Sequence, residues 1–75
     1  MNKTILSIID LRTNKSIFNT DSVSAIPNIG EIITVSTYGL SDKDYTVKKR
    51  KFIYEKETVA NIRTTYIFVY VKSID

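Results

Sequence analysis

The sequence predicts an all-β protein, a five-stranded antiparallel meander that closes into a small SH3-like or OB-like barrel. Every residue from 64 to 71 is β-branched or aromatic, which suits a pleated sheet and disfavours a helix. Five short segments with strand-like patterns are separated by turn-forming residues. No segment has a convincing helical period, and a chain of 75 residues fits one domain, residues 1–75.

The first two predicted strands form a hairpin. Residues 3–12 are rich in isoleucine and alternate in steps of two, although the three isoleucines also fit a helical spacing. The isoleucine enrichment and the turn-forming residues 13–15 favour a strand. The second strand spans residues 16–20, and Asn14 can take the left-handed conformation that a short connection requires.

Proline and glycine mark the connection to the third strand. Pro27 cannot donate a hydrogen bond to a sheet, and it favours an extended conformation in the residue before it. Gly30 permits a turn that other residues resist. The third strand is therefore predicted at residues 31–37, and residues 38–44 form the following loop.

The last two predicted strands, residues 45–56 and 62–72, form a long hairpin whose connection includes a turn or one helical turn at 58–61. Side chains from both strands should form the core of the barrel. The predicted core residues are Val47, Phe52, Ile67 and Val69.

The fourth strand requires a bulge if its core face is to stay largely apolar. Strict alternation from Val47 would place Lys49 and Lys51 on that face. One extra residue near Lys48 and Lys49 would bend the strand as a small barrel requires. With the bulge, three other side chains would lie on the core face instead, namely Arg50, Phe52 and Tyr54.

The composition argues against an enzyme. The chain has no histidine or cysteine, so the commonest general base, the strongest side-chain nucleophile and the usual zinc ligands are missing. The remaining catalytic candidates are the carboxylate pairs Asp42/Asp44 and Glu55/Glu57, which are more simply solvated charges beside lysines. We expect a non-enzymatic protein without metal or cofactor.

Basic residues are concentrated in the second half of the chain. The net charge is +3, and residues 43–72 contain eight Lys or Arg against three acids. The one charge run is a candidate site for an anionic partner such as nucleic acid, with aromatic rings nearby for base stacking. The simpler interpretation is a solvated strand whose lysines discourage edge-to-edge pairing. The run consists of Lys48, Lys49, Arg50 and Lys51.

Aromatic residues share one face of the last strand. Ile67, Val69 and Val71 can fill the barrel interior, so the alternating rings should lie outside. Monomers seldom expose such a patch, so we expect a protein partner to cover it, first of all a second copy. The alternatives are rings whose bodies are buried in the core, or a stacking surface for single-stranded nucleic acid. The rings are Tyr66, Phe68 and Tyr70.

Residues 27–33, Pro-Asn-Ile-Gly-Glu-Ile-Ile, followed by Tyr45-Thr46-Val47 and an aromatic–basic strand, resemble small phage- or prophage-encoded β-barrel proteins. The shared features are a Pro-x-x-Gly-Glu turn and a Tyr-x-Val strand, and the similarity covers residues 26–72. The resemblance implies an SH3-like barrel and a phage or bacterial setting. It implies no activity and no binding residues.

The function expected from the sequence is therefore that of a small cytoplasmic binding protein. It engages a protein partner and self-associates, and nucleic-acid binding through residues 48–51 is the alternative. The apolar run at residues 4–9 is too short for a bilayer span or a signal peptide, so we expect no membrane association.

Overall fold

The computed structural model describes residues 2–56 and 62–74, in which all regular structure is β-strand. The strands form one sheet that curls into a half-barrel, consistent with a small SH3-like or OB-like barrel. The predicted all-β class and the five strands are confirmed, whereas the connection at 58–61 lies outside the described residues. The strands are β1 (Asn2–Asp10), β2 (Lys15–Thr20), β3 (Ile32–Val35), β4 (Lys43–Tyr54) and β5 (Arg63–Ser73).

The strand order differs from a simple meander. It is β2-β1-β5-β4-β3, with β1 and β5 paired in parallel and the other pairs antiparallel. The predicted meander therefore holds for β3, β4 and β5 but is wrong for the placement of β1 and β2. The physical reason is that β1 and β5 carry apolar side chains on both faces, which favours the centre of the sheet for them.

The core lies on the inner, concave face of the sheet. Val47 and Val69 are completely buried, and Ile67 is 3% exposed, so three of the four predicted core residues are confirmed. Val23 and Ile26, from the connection between β2 and β3, pack against this core from the inner side. The buried apolar side chains are Leu6, Ile8, Tyr45, Val47, Ile67, Val69 and Val71.

Phe52 is the exception among the predicted core residues. It faces the inner side, opposite Ile67, but 37% of its surface is exposed. It sits toward the end of β4, and its ring stacks on Tyr54 with centroids 6.4 Å apart and an interplanar angle of 11°. The prediction that Phe52 is core was thus right about its direction and wrong about its burial.

The bulge in β4 is present at the predicted position. Val47 pairs with Val71 and Lys49 pairs with Tyr70, so Lys48 is an extra residue in the ladder. After the bulge, the three side chains predicted to return to the inner face lie opposite residues of β5 on that face. These pairs are Arg50 with Val69, Phe52 with Ile67, and Tyr54 with Thr65.

Two tight turns use the conformations that their residues suggest. Asn14 has φ of 58° in the β1–β2 turn, and Gly30 has φ of 93° before β3. The carboxylate of Asp10 accepts a hydrogen bond from the backbone N–H of Arg12 at 2.9 Å. The carbonyl of Asp10 accepts another from the N–H of Asn14 at 2.7 Å. Asp10 therefore stabilises the turn through both its side chain and its backbone.

Candidate binding surface on the outer face of the sheet

The side chains that alternate with the core form the outer, convex face of the sheet. Near its centre, Tyr66, Phe68 and Tyr70 of β5 are half-buried and lie in one row along the strand. The prediction that these three rings lie on the side of the sheet opposite the core is therefore confirmed. The parallel strand β1 places further side chains beside them in register: Ile5 next to Tyr66, Ser7 next to Phe68 and Ile9 next to Tyr70.

Strand β4 brings two lysines to the other side of the aromatic row. Lys49 lies opposite Tyr70, and its Nζ is 5.2 Å from the centroid of the Tyr70 ring. Lys51 lies opposite Phe68. Two lysines of the predicted charge run thus lie on the same face as the predicted aromatic patch, although the sequence suggested two separate sites.

The charge run itself is divided between the two faces. Arg50 points to the inner side, where its guanidinium donates a hydrogen bond to Asn28 Oδ1 at 3.4 Å and lies 5.8 Å from the Phe52 ring. Lys49 and Lys51 point to the outer side. Residues 48–51 therefore do not form one continuous basic surface.

A second polar group lies on the β1 side of Phe68. Ser7 pairs with Asn19 of β2, and the Ser7 hydroxyl donates to Asn19 Oδ1 at 2.6 Å. The Ser16 hydroxyl donates to the same oxygen at 3.0 Å. Asn19 Oδ1 thus accepts both hydroxyls, and the amide nitrogen of the same side chain can donate to another molecule.

The outer face has an excess of positive charge. Alternation along the described strands places one acid there, Asp44, whose Oδ1 accepts a hydrogen bond from the Thr34 hydroxyl at 2.7 Å. The lysines surround the aromatic row, since two lie on its β4 side and one lies toward each end. They are Lys3, Lys49, Lys51 and Lys72.

Sequence reasoning missed the apolar neighbours of the aromatic row. Ile5 and Ile9 belong to the outer face because β1 pairs in parallel with β5, and Ile53 joins them opposite Tyr66. The signal available in the sequence was that β1, like β5, has apolar residues at both odd and even positions.

The described carboxylates have structural partners or lie in solvent. Glu55 Oε1 accepts a hydrogen bond from the Thr64 N–H at 3.0 Å, Asp44 bonds to Thr34, and Asp42 is exposed. Glu57 lies outside the described residues. Within residues 2–56 and 62–74, no three acidic, histidine or cysteine side chains are grouped to hold a metal ion. The same residues include no helix long and apolar enough to cross a membrane.

Comparison with known proteins gave no matching family model, no matching curated protein and no matching solved structure. The function must therefore be inferred from the surface itself.

Proposed function

We propose that this chain is a small non-enzymatic binding protein and that the outer face of its sheet is the binding surface. The observation that carries the proposal is the row formed by Tyr66, Phe68 and Tyr70 near the centre of that face. The described loop residues that pack on the core, Val23 and Ile26, lie on the opposite side of the sheet. A row of half-buried aromatic rings on the face opposite these loop residues is typical of a surface that binds a partner.

A protein partner, a second copy included, is one class that this surface fits. Ile5, Ile9 and Ile53 extend the aromatic row into a wider apolar patch, as protein interfaces require. Self-association would also stabilise a domain this small. A phage or bacterial setting and a cytoplasmic location belong to the same proposal, supported by the Pro-x-x-Gly-Glu turn at residues 27–31.

Nucleic acid is the second class, and one observation favours it specifically. Lys49 lies over Tyr70 and Lys51 lies opposite Phe68, so cations and rings alternate across adjacent strands of one face. Phosphates and unpaired bases are bound by this combination of side chains.

Amide chemical shifts can test the proposed surface directly. Isotope-labelled protein would be followed by NMR in two titrations, one with increasing protein concentration and one with a single-stranded oligonucleotide. We expect the shifted amides to cluster at residues 66–70 and at the adjoining residues of β1 and β4. Outer-face amides that stay unchanged in both titrations would contradict the proposal.

A further inference from the structure

We infer that the outer face binds single-stranded nucleic acid, with bases stacked on the β5 rings and phosphates contacted by lysines of β4. The inference rests on the proposed function and names the partner of the same surface. Three features carry it: a row of side chains across four strands, the balance of charge, and the spacing of the rings.

The row across the strands matches the parts of one nucleotide. Lys51 of β4 lies opposite Phe68 of β5, Phe68 lies beside Ser7 of β1, and Ser7 pairs with Asn19 of β2. Neighbouring strands are about 4.8 Å apart, so the row spans roughly 14 Å. It offers in order a cation for a phosphate, a ring for the face of a base, and a hydroxyl–amide pair for the base edge.

The charge on this face disfavours a second copy as its partner. In a twofold dimer each copy presents the same surface, so lysines on one copy would meet lysines on the other unless acids lay between them. The described strands place one acid on the face, Asp44, and it is hydrogen-bonded to Thr34. A polyanion, in contrast, would neutralise Lys49 and Lys51.

The spacing of the rings suits an extended single strand. Alternate residues along a β-strand are about 6.6 Å apart, so Tyr66, Phe68 and Tyr70 offer three successive stacking positions. A stretched nucleic-acid strand can present its bases at a comparable interval. A duplex keeps its base faces inside the stack and would leave the rings without partners.

Lys49 can change partner when a strand binds. Its contact with the Tyr70 ring is made by an exposed side chain, and cation–π contacts at exposed sites are weak. A phosphate competes well for the ammonium group, and the ring is then open to a base. Before a strand binds, the Lys49 ammonium group and the Tyr70 ring therefore already lie close to where they would contact a phosphate and a base.

The test is fluorescence anisotropy with a labelled oligothymidylate at low salt, and a duplex containing the same strand serves as competitor. We expect the single strand to bind and the duplex to compete poorly. The logarithm of the binding constant should fall with the logarithm of salt concentration with a slope of about −1.4, for two phosphate contacts. Lys51→Ser should reduce that slope by about 0.7. Lys43→Ser removes an exposed lysine from the other face of β4 and should leave the slope unchanged.

The aromatic variants test stacking. Phe68→Ala should weaken binding by about 5- to 150-fold, the range for losing one stacked base. Phe68→Leu keeps an apolar side chain, and therefore the fold, but should lose most of the same affinity. Phe18→Leu is the matched control, because Phe18 is 46% exposed and pairs with Ile8, which belongs to the inner face.

Three results would overturn the inference: no oligonucleotide binding at low salt, binding unaffected by Phe68→Leu, or equal losses with Phe18→Leu. Sedimentation separates this failure from that of the proposed function. If the oligonucleotide does not bind but the protein self-associates and Phe68→Asp abolishes the association, the outer face binds a second copy. The inference then fails and the proposed function stands. If no oligonucleotide binds and Phe68→Asp leaves the sedimentation of the protein unchanged, the inference and the proposed function both fail.

Discussion

Arg50 of β4 lies directly opposite Val69 of β5 on the inner face, because Lys48 is an extra residue in β4. The bulge reverses the alternation of the strand. Before it, odd-numbered residues such as Val47 face the core, and after it even-numbered residues do. The bulge is what allows Lys49 and Lys51 to reach the outer face beside the aromatic row.

Deleting Lys48 should therefore preserve the fold, whereas deleting Thr46 from the same strand should disrupt it. Without Lys48, Lys49 would follow Val47 directly, and regular alternation would keep Lys49 and Lys51 on the outer face and Phe52 on the inner one. Without Thr46, either Tyr45 or Val47 would leave the inner face, where both are buried. Losing one of these side chains from the core costs more than a domain of this size can readily tolerate. Urea denaturation should show cooperative unfolding for the Lys48 deletion, and an equally stable Thr46 deletion would contradict the prediction.

Ile67 and Phe52 lie opposite each other, yet their truncation should have unequal effects. Ile67 is 3% exposed and Phe52 is 37% exposed. Ile67→Ala should lower the free energy of unfolding by about 2–5 kcal/mol, the range for buried isoleucine. Phe52→Ala should cost less than Ile67→Ala, because its ring keeps much of its contact with water. Chemical denaturation of both variants measures the order, and a larger loss for Phe52→Ala would show that the ring is buried in solution.

Asn14 should tolerate glycine better than alanine. Its φ of 58° lies in the left-handed region, which costs an ordinary residue about 1–2 kcal/mol. Asn14→Ala should therefore lower the free energy of unfolding by about 1 kcal/mol, since asparagine itself tolerates this region better than alanine. Asn14→Gly should be nearly neutral. Equal melting temperatures for the two variants would mean that the turn takes another conformation.

Asp10 should be replaceable by asparagine but not by alanine. Its carboxylate accepts the Arg12 N–H, and its side chain is 7% exposed. Asp10→Ala removes the acceptor and should cost about 1–3 kcal/mol. Asp10→Asn keeps an acceptor oxygen at the same position and should cost less than half as much. Thermal unfolding of both variants checks this difference, which should vanish if the hydrogen bond does not form in solution.

Local patterns were sufficient to predict the strands and the bulge. The positions of the lysines in β4 are compatible with an apolar core face only if one residue is extra, and Lys48 fills that role. The direction of Tyr66 and its two aromatic neighbours followed from the alternation with Ile67. Such inferences work because side-chain direction in a strand is decided by the nearest residues.

The pairing of strands could not be read from those patterns. Alternation defines the faces of β1 but not which strand lies beside it, so the parallel partnership with β5 was missed. Ile5 and Ile9 were consequently absent from the predicted patch. The burial of Phe52 was overestimated for a related reason. The direction of its side chain depends on neighbouring residues of β4, whereas its burial depends on segments that are distant in sequence.

The parallel pair also determines the order in which this chain can fold. Asn2 pairs with Arg63 and Asp10 pairs with Val71, so the centre of the sheet joins the first strand to the last. During synthesis β1 leaves the ribosome well before β5, and its inner-face side chains, Leu6 and Ile8, have no finished core to enter. Pairing between segments so distant in sequence is slow, since the intervening loop must close first. The β1–β2 hairpin therefore has one edge, that of β1, which stays unpaired until the last strand is available.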